Sequence, residues 1–331
     1  MPGTYWVNTS AAANSGWHRS ESGTISDAAL GPRFNAMVAF FPFIEAISIY
    51  DAFAAGNIEP WSGVFLPGSI PILHCPSDRN TLNPGRNNGC SMSNISLSLG
   101  DSLSIMGNTR GVVSWPYPCP FRATSDEGER KKQASNVIQN GIGMGAITDG
   151  TSNTVFCSEI VVATSDSYAN AKGGISRGSA DSRYGAGGGA ALSGYTLLTG
   201  NCMNEGFTSD RRLVSTPYTG AGKGRRALDA WPHYGWVINT LMPPNAPNCA
   251  REMAETSNQG AFTAQSFHAG GVNVGFADGS IRFVADSVDT NNVGGGTASL
   301  ALGGHPQYDG ASTFGVWGAL GSIAGGESKS L

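Results

Sequence analysis

Charge is scarce in this chain. Asp, Glu, Lys and Arg make up only 13% of its 331 residues, about half the usual ~25% share. The net charge of −4 comes with no basic cluster interleaved with aromatics, which excludes nucleic acid as a partner. The one dense charge run, Glu129-Arg130-Lys131-Lys132, reads as a solvated loop. No apolar run approaches the roughly 18 residues of a membrane span, and no secretory or transit signal is present. If the protein works outside the cell, its export segment is expected upstream of Met1 or already removed.

Chemical signatures are missing as well. There is no Cys-x-x-Cys, so zinc-ribbon and thioredoxin readings have no support. None of the histidines (His18, His74, His233, His268, His305) has the spacing of a helix-borne metal site. Gly-x-Ser-x-Gly is absent. Gly220-Ala221-Gly222-Lys223-Gly224 imitates a phosphate loop, but Pro217 holds the leading glycine position and no Ser or Thr follows the lysine. The expectation is a protein that is not an enzyme and carries no cofactor and no metal.

What is abundant is glycine, 47 residues, about twice its average share. With Ser, Thr and Asn it makes a neutral polar surface suited to close contact with copies of the same chain. The six cysteines, Cys75, Cys90, Cys119, Cys157, Cys202 and Cys249, are even in number and widely spaced. That pattern fits disulfides in an oxidising compartment. The preferred pairs are Cys75 with Cys90 and Cys202 with Cys249, which leaves Cys119 and Cys157. Buried free thiols in a cytosolic protein are the competing reading.

Periodicity organises the chain around Ser266 to Val284. Val272, Val274 and Phe276 alternate with Asn273, Gly275 and Ala277, and Asp278-Gly279 supplies turn residues. A two-residue loop would place Phe276 opposite Ile281 and Val274 opposite Phe283. A core helix is expected over 42–55, opened by Pro42, with Phe43, Ile47, Tyr50 and Ala54 inward. Edge strands interrupted by Pro67 and Pro71 are expected over 61–75. Asp149 to Asn153 reads as a turn before a strand at 154–160, and 313–320 as a short helical turn burying Trp317 and Leu320. Strand pieces over 227–241 lead to an irregular 242–249, and long Gly-rich loops centre on 185–189. The fold class is α+β, predominantly antiparallel β: an extension over 1–33, one domain over 34–327 and a tail over 328–331.

A His268–Asp278 dyad is excluded by distance. The intervening strand holds them roughly 20 Å apart, whereas a dyad needs about 3 Å. Asp278 is explained by its turn, and His268 by a strand-end bond to a neighbouring backbone group. Calcium is the ion whose oxygen donors are offered, by Asp149 with Asn153, Asp286 with Asp289, and Asn291 with Asn292. No twelve-residue calcium loop exists, and turn formation is the stronger reading for each. Asn-x-Ser/Thr matches occur at Asn8 and Asn94.

His268, nine residues and then Asp278-Gly279 form a spacing that resembles the bacterial prepilin-type processing-associated H-x9-DG proteins. Phe41-Pro42-Phe43-Ile44-Glu45 and Cys75-Pro76-Ser77-Asp78 are similar to blocks of that family. So are Asp149-Gly150-Thr151-Ser152-Asn153-Thr154 with Glu159, Pro243-Pro244-Asn245 through Cys249, and Gly325-Gly326-Glu327. The resemblance implies a secreted or surface protein with a pseudopilin-like β head, and it brings no catalytic residues with it. It also implies a long apolar N-terminal helix that this sequence does not contain, so the expectation is either a head-only fragment or assembly through other contacts. The functional expectation is a structural subunit of an extracellular or cell-surface assembly, acting by self-association. The alternative is a secreted glycan- or surface-binding module using Trp6, Trp17, Trp231 and Trp236. A hydrolase built on carboxylates such as Glu159 and Asp149 ranks third, for want of a recognisable pairing.

Overall fold

The computed structural model describes residues 35–54, 70–82, 91–102, 110–113, 143–163, 170–177, 196–198, 202–203, 209, 212–213, 222–229, 232–250, 260–291, 299–301, 310–326 and 331. The fold is α+β, with strands in mixed sheets and few helices. The principal sheet contains β1 (Ile95–Ser98), β2 (Val155–Glu159), β5 (Val237–Ile238), β8 (Gly271–Phe276) and β9 (Ile281–Ala285), in the order β5-β1-β2-β8-β9. Its pairings are antiparallel except β1 with β5. A second sheet orders β3 (Ile175–Arg177), β6 (Asn248–Ala250) and β7 (Gly260–Ala261), and β4 (Thr196–Leu198) pairs with β10 (Ser299–Ala301).

The alternation over 272–276 does what its period demands. Val272, Val274 and Phe276 are buried and pack with Val155, Ile238 and Val284. Helix α2 (Gly315–Gly321) covers this layer with Trp317 and Leu320, as the sequence suggests. The Trp317 indole Nε1–H donates to Met242 O at 2.9 Å, so the ring is buried without orphaning its one donor. The Cys202–Cys249 disulfide forms and sits in an adjoining cluster with Leu241, Met242 and Phe314.

Three structural expectations are corrected. The hairpin register differs by one residue: Gly275 stands opposite Ile281, Val274 opposite Arg282 and Asn273 opposite Phe283. Phe276 N–H donates to Ser280 O at 2.8 Å and Gly279 N–H to Phe276 O at 2.9 Å. The loop is therefore the three residues Ala277 to Gly279, with Gly279 at φ 86° in the left-handed position such loops require. The slip sends Ile281 and Phe283 to the opposite face, where they are 75% and 51% exposed.

The single core helix over 42–55 is replaced by a 3₁₀ run, Ala36–Phe43, and helix α1 (Ile47–Ala54). Pro42 lies inside the 3₁₀ run, and Glu45 at φ 60° breaks the chain between the two. Consequently Phe43 and Ile47 face outward, while Phe41 is buried. At 71–73 a 3₁₀ turn, Pro71–Leu73, stands where an edge strand was expected; residues 61–69 lie outside the described set. Pro71 at the first position of that turn has no N–H to lose, which favours the turn over a ladder.

Candidate functional site

The segments 75–78, 149–159, 268–279 and 325–326, far apart in sequence, meet one another. Strand β2 is the meeting line. At its N-terminal end, Ala277 N–H donates to Thr154 O at 2.9 Å and Asp278 N–H to Thr151 O at 3.1 Å, docking the hairpin tip on the 149–154 turn. Gly150 adopts φ 96° there, and Asn153 N–H closes the turn on Gly150 O at 3.0 Å. Asp149 accepts from Gly325 N–H at 2.6 Å and Gly326 N–H at 2.9 Å, clamping the C-terminal glycines. Asp278 is fully exposed; the Ser280 hydroxyl, and then the Ser280 N–H, hold its carboxyl below the usual range.

At the C-terminal end of β2, Glu159 is the hub. Its Oε2 accepts from Asn273 N–H at 2.8 Å, and its Oε1 accepts from Asn273 Nδ2 at 3.1 Å. The same Oε1 lies 3.1 Å from His268 Nε2. His268 thus pairs with a carboxylate rather than with the neighbouring backbone group expected, although Ser266 Oγ does accept from the His268 N–H at 3.1 Å. The physical reason is the antiparallel β2–β8 ladder, which brings the end of β2 beside the residues that lead into β8.

Cys75 completes the group. It is a free thiol, not bonded as the proposed Cys75–Cys90 pair requires, and Cys90 and Cys119 lie outside the described residues. One donor atom each from Cys75, Glu159 and His268 lies within 4.8 Å of the other two. The Cys-Pro-Ser-Asp turn puts the thiol there: Asp78 N–H donates to Cys75 O at 3.0 Å, and Asn94 Oδ1 accepts from Cys75 N–H at 2.9 Å. All three residues are partly buried, with the side chains of His268 and Glu159 35% and 18% exposed. Cys157, also a free thiol among the described residues, has its thiolate disfavoured, because burial pushes it up to about 11.

Other sequence candidates resolve into structural roles. Asp286 Oδ1 accepts from Asn245 Nδ2 at 2.7 Å, and Asp289 accepts from Asn291 N–H at 2.9 Å and Val316 N–H at 3.2 Å. Asp289 closes a local turn on Asn291 and also ties it to helix α2, while Asp286 bonds a residue 41 positions away. Asn94 is buried and fully engaged, so its Asn-x-Ser match is no glycan acceptor. Trp236 is buried, which removes it from an exposed aromatic platform; Trp6, Trp17 and Trp231 lie outside the described residues. Lys223 of the imitation phosphate loop is fully buried, its ammonium donating to Val237 O and lying 5.1 Å from the Phe262 ring centre.

Sequence reasoning singled out His268 and Glu159 but did not join them, and it missed Asn273, Asn94 and Asp78 as supports. Cys75 opens one motif block, 75–78, and Glu159 closes another, 149–159, but nothing in either spacing names the His268 segment as its neighbour.

A family model described as "Protein of unknown function (DUF1559)" matches residues 2–291. No curated protein and no solved structure matches the chain. No helix among the described residues is long and apolar enough to cross a membrane.

Proposed function

The chain belongs to the DUF1559 family, and from that premise we propose that it is a structural subunit of an extracellular or cell-surface assembly, built by contact between copies of itself. The observation that carries this reading is the outer edge of the principal sheet. Strand β9 ends the strand order, so one side of its backbone has no partner strand among the described residues. Its outward face carries Ile281 at 75% and Phe283 at 51% exposure. Soluble proteins ordinarily blunt such an edge with charge, proline or a bulge. Here the sole charge on the strand, Arg282, lies against the Phe276 ring at 4.5 Å.

An edge strand with apolar side chains is suited to strand addition, in which main-chain bonds give affinity and alternate side chains give register. A second copy is the occupant that fits the sparse charge of the chain, because a surface with few like charges repels its own kind weakly. The Cys202–Cys249 disulfide supports an oxidising location outside the cytosol. The His268, Asp278 and Gly279 spacing supports placing the protein among the prepilin-type processing-associated H-x9-DG group, with a pseudopilin-like head. On this reading the protein acts by shape and contact.

Sedimentation velocity across a concentration series of the full chain tests it. The expected result is concentration-dependent association that Phe283→Lys, or Ile281→Lys where the first variant is poorly folded, shifts to monomer. A monomeric wild type at high concentration would sink the reading, as would unchanged association in both folded variants.

A further inference from the structure

We propose that Cys75, Glu159 and His268 form a binding site for a divalent cation of the zinc class, with the fourth coordination position left open to water or an exogenous ligand. Three donors from three distant segments converge so that each donor atom lies within 4.8 Å of both others. Thiolate, imidazole and carboxylate together are the donor set of zinc and its neighbours, not of calcium or magnesium, which take oxygen alone. One of the three donor pairs, His268 with Glu159, is spaced close to what two ligands of one ion require. Two donors about 2.1 Å from a tetrahedral metal lie about 3.4 Å apart, and His268 Nε2 to Glu159 Oε1 is 3.1 Å. The Cys75 thiol lies on the same partly buried group, within 4.8 Å of both other donor atoms.

The surrounding bonds are those of a site organised to hold its ligands. Asn273 fixes Glu159 through two donors, N–H at 2.8 Å and Nδ2 at 3.1 Å. Asn94 holds the Cys75 backbone and Ser266 the His268 backbone. Outer partners of this kind orient metal ligands and tune their basicity. On binding, the Cys75 S–H releases its proton to solvent and the sulfur forms a bond to the ion, while the His268 ring proton leaves Nε2, with Nδ1 carrying the ring's proton, so that the Nε2 lone pair is free for the metal. Glu159 exchanges its bond to the ring for one to the metal. The partial exposure of His268 supplies the entry path.

The test uses the full chain, chelator-treated and then titrated with cobalt(II) as a spectroscopic stand-in for zinc. We expect one equivalent to bind with the visible bands of a four-coordinate centre and a thiolate-to-cobalt charge-transfer band, both erased by added zinc. Cys75→Ser should remove the charge-transfer band and weaken binding at least ~10-fold, and Asn273→Ala should weaken it by about 10- to 100-fold with the band retained. Cys157→Ser should leave both unchanged. Absence of stoichiometric cobalt uptake overturns the site, and so does a charge-transfer band that survives Cys75→Ser. Should Cys75→Ser not fold, His268→Gln decides: wild-type cobalt affinity in that folded variant rejects the proposal.

Discussion

Asp78 accepts a hydrogen bond from Asn94 Nδ2 at 2.7 Å, and both side chains are buried. The other end of the Asn94 amide accepts from Cys75 N–H, while Asp78 also takes Val162 N–H at 2.8 Å and Asn80 N–H at 3.0 Å. The pair therefore bolts the Cys-Pro-Ser-Asp turn to the chain that leaves β2. Asp78→Ala strands two buried donors, Asn94 Nδ2 and Val162 N–H, and the part-buried Asn80 N–H, and each unsatisfied buried group costs about 1–3 kcal/mol. The expected loss is about 3 kcal/mol or more in urea unfolding, with faster alkylation of Cys75 as the turn loosens. A loss below about 1 kcal/mol would show that the network is not holding the turn.

The hairpin makes a second prediction, because its register separates two glycines. At Gly279 an added Cβ meets nothing within 4 Å, so Gly279→Ala suffers only from φ 86°, a penalty of about 1–3 kcal/mol. At Gly271 the added carbon would stand 2.2 Å from Val284 O and 2.7 Å from the Phe283 ring. Gly271→Ala should therefore be the more damaging of the two by thermal unfolding. Equal effects would contradict the β8–β9 pairing, since a one-residue slip moves Phe283 off Gly271.

That register marks where the sequence stopped being legible. Val272, Val274 and Phe276 were readable as a buried row because period-two alternation reports burial on one strand directly. The cross-strand partner was not readable, because Asp278-Gly279 serves a two-residue and a three-residue loop equally well. The same limit hid the Cys75, Glu159 and His268 cluster. Its members lie in three segments whose meeting depends on the β2–β8 ladder and on Asn94, and no local pattern encodes such contacts. Around 42–55 the helical spacing of Phe43 and Ile47 was real, yet Glu45 in a left-handed conformation turned both residues outward.

Reduction supplies a third prediction. Cys202 and Cys249 are 47 residues apart in sequence, and closing a loop of that size restricts the unfolded chain by about 4 kcal/mol on the chain-entropy account. The double variant Cys202→Ala/Cys249→Ala should unfold at lower urea by an amount of that order. Treating the wild type with reductant should produce the same shift and leave the variant unaffected. A reductant effect of equal size in the variant would assign the stabilisation elsewhere.

The buried lysine makes the stability of this protein depend on pH in a direction that can be worked out. Burial brings Lys223 down from 10.5 to about 7. Above about pH 7 the folded state gives up this proton, while the unfolded chain keeps it until about 10.5. The unfolded state then binds more protons, so stability rises with pH. Burial of Cys157 acts oppositely: the unfolded thiol ionises near 9.0 and the folded one near 11, so stability falls as pH climbs through that window. His74, held low chiefly by desolvation, adds a loss of stability below about pH 6.5, where the unfolded ring protonates and the folded one resists. Between pH 7 and 9 the Lys223 effect is opposed by neither. Urea midpoints of the wild type should climb across that interval, and Lys223→Met, which keeps the length of the side chain without its charge, should flatten the climb. A climb that persists undiminished in the methionine variant would mean that another group carries the proton linkage.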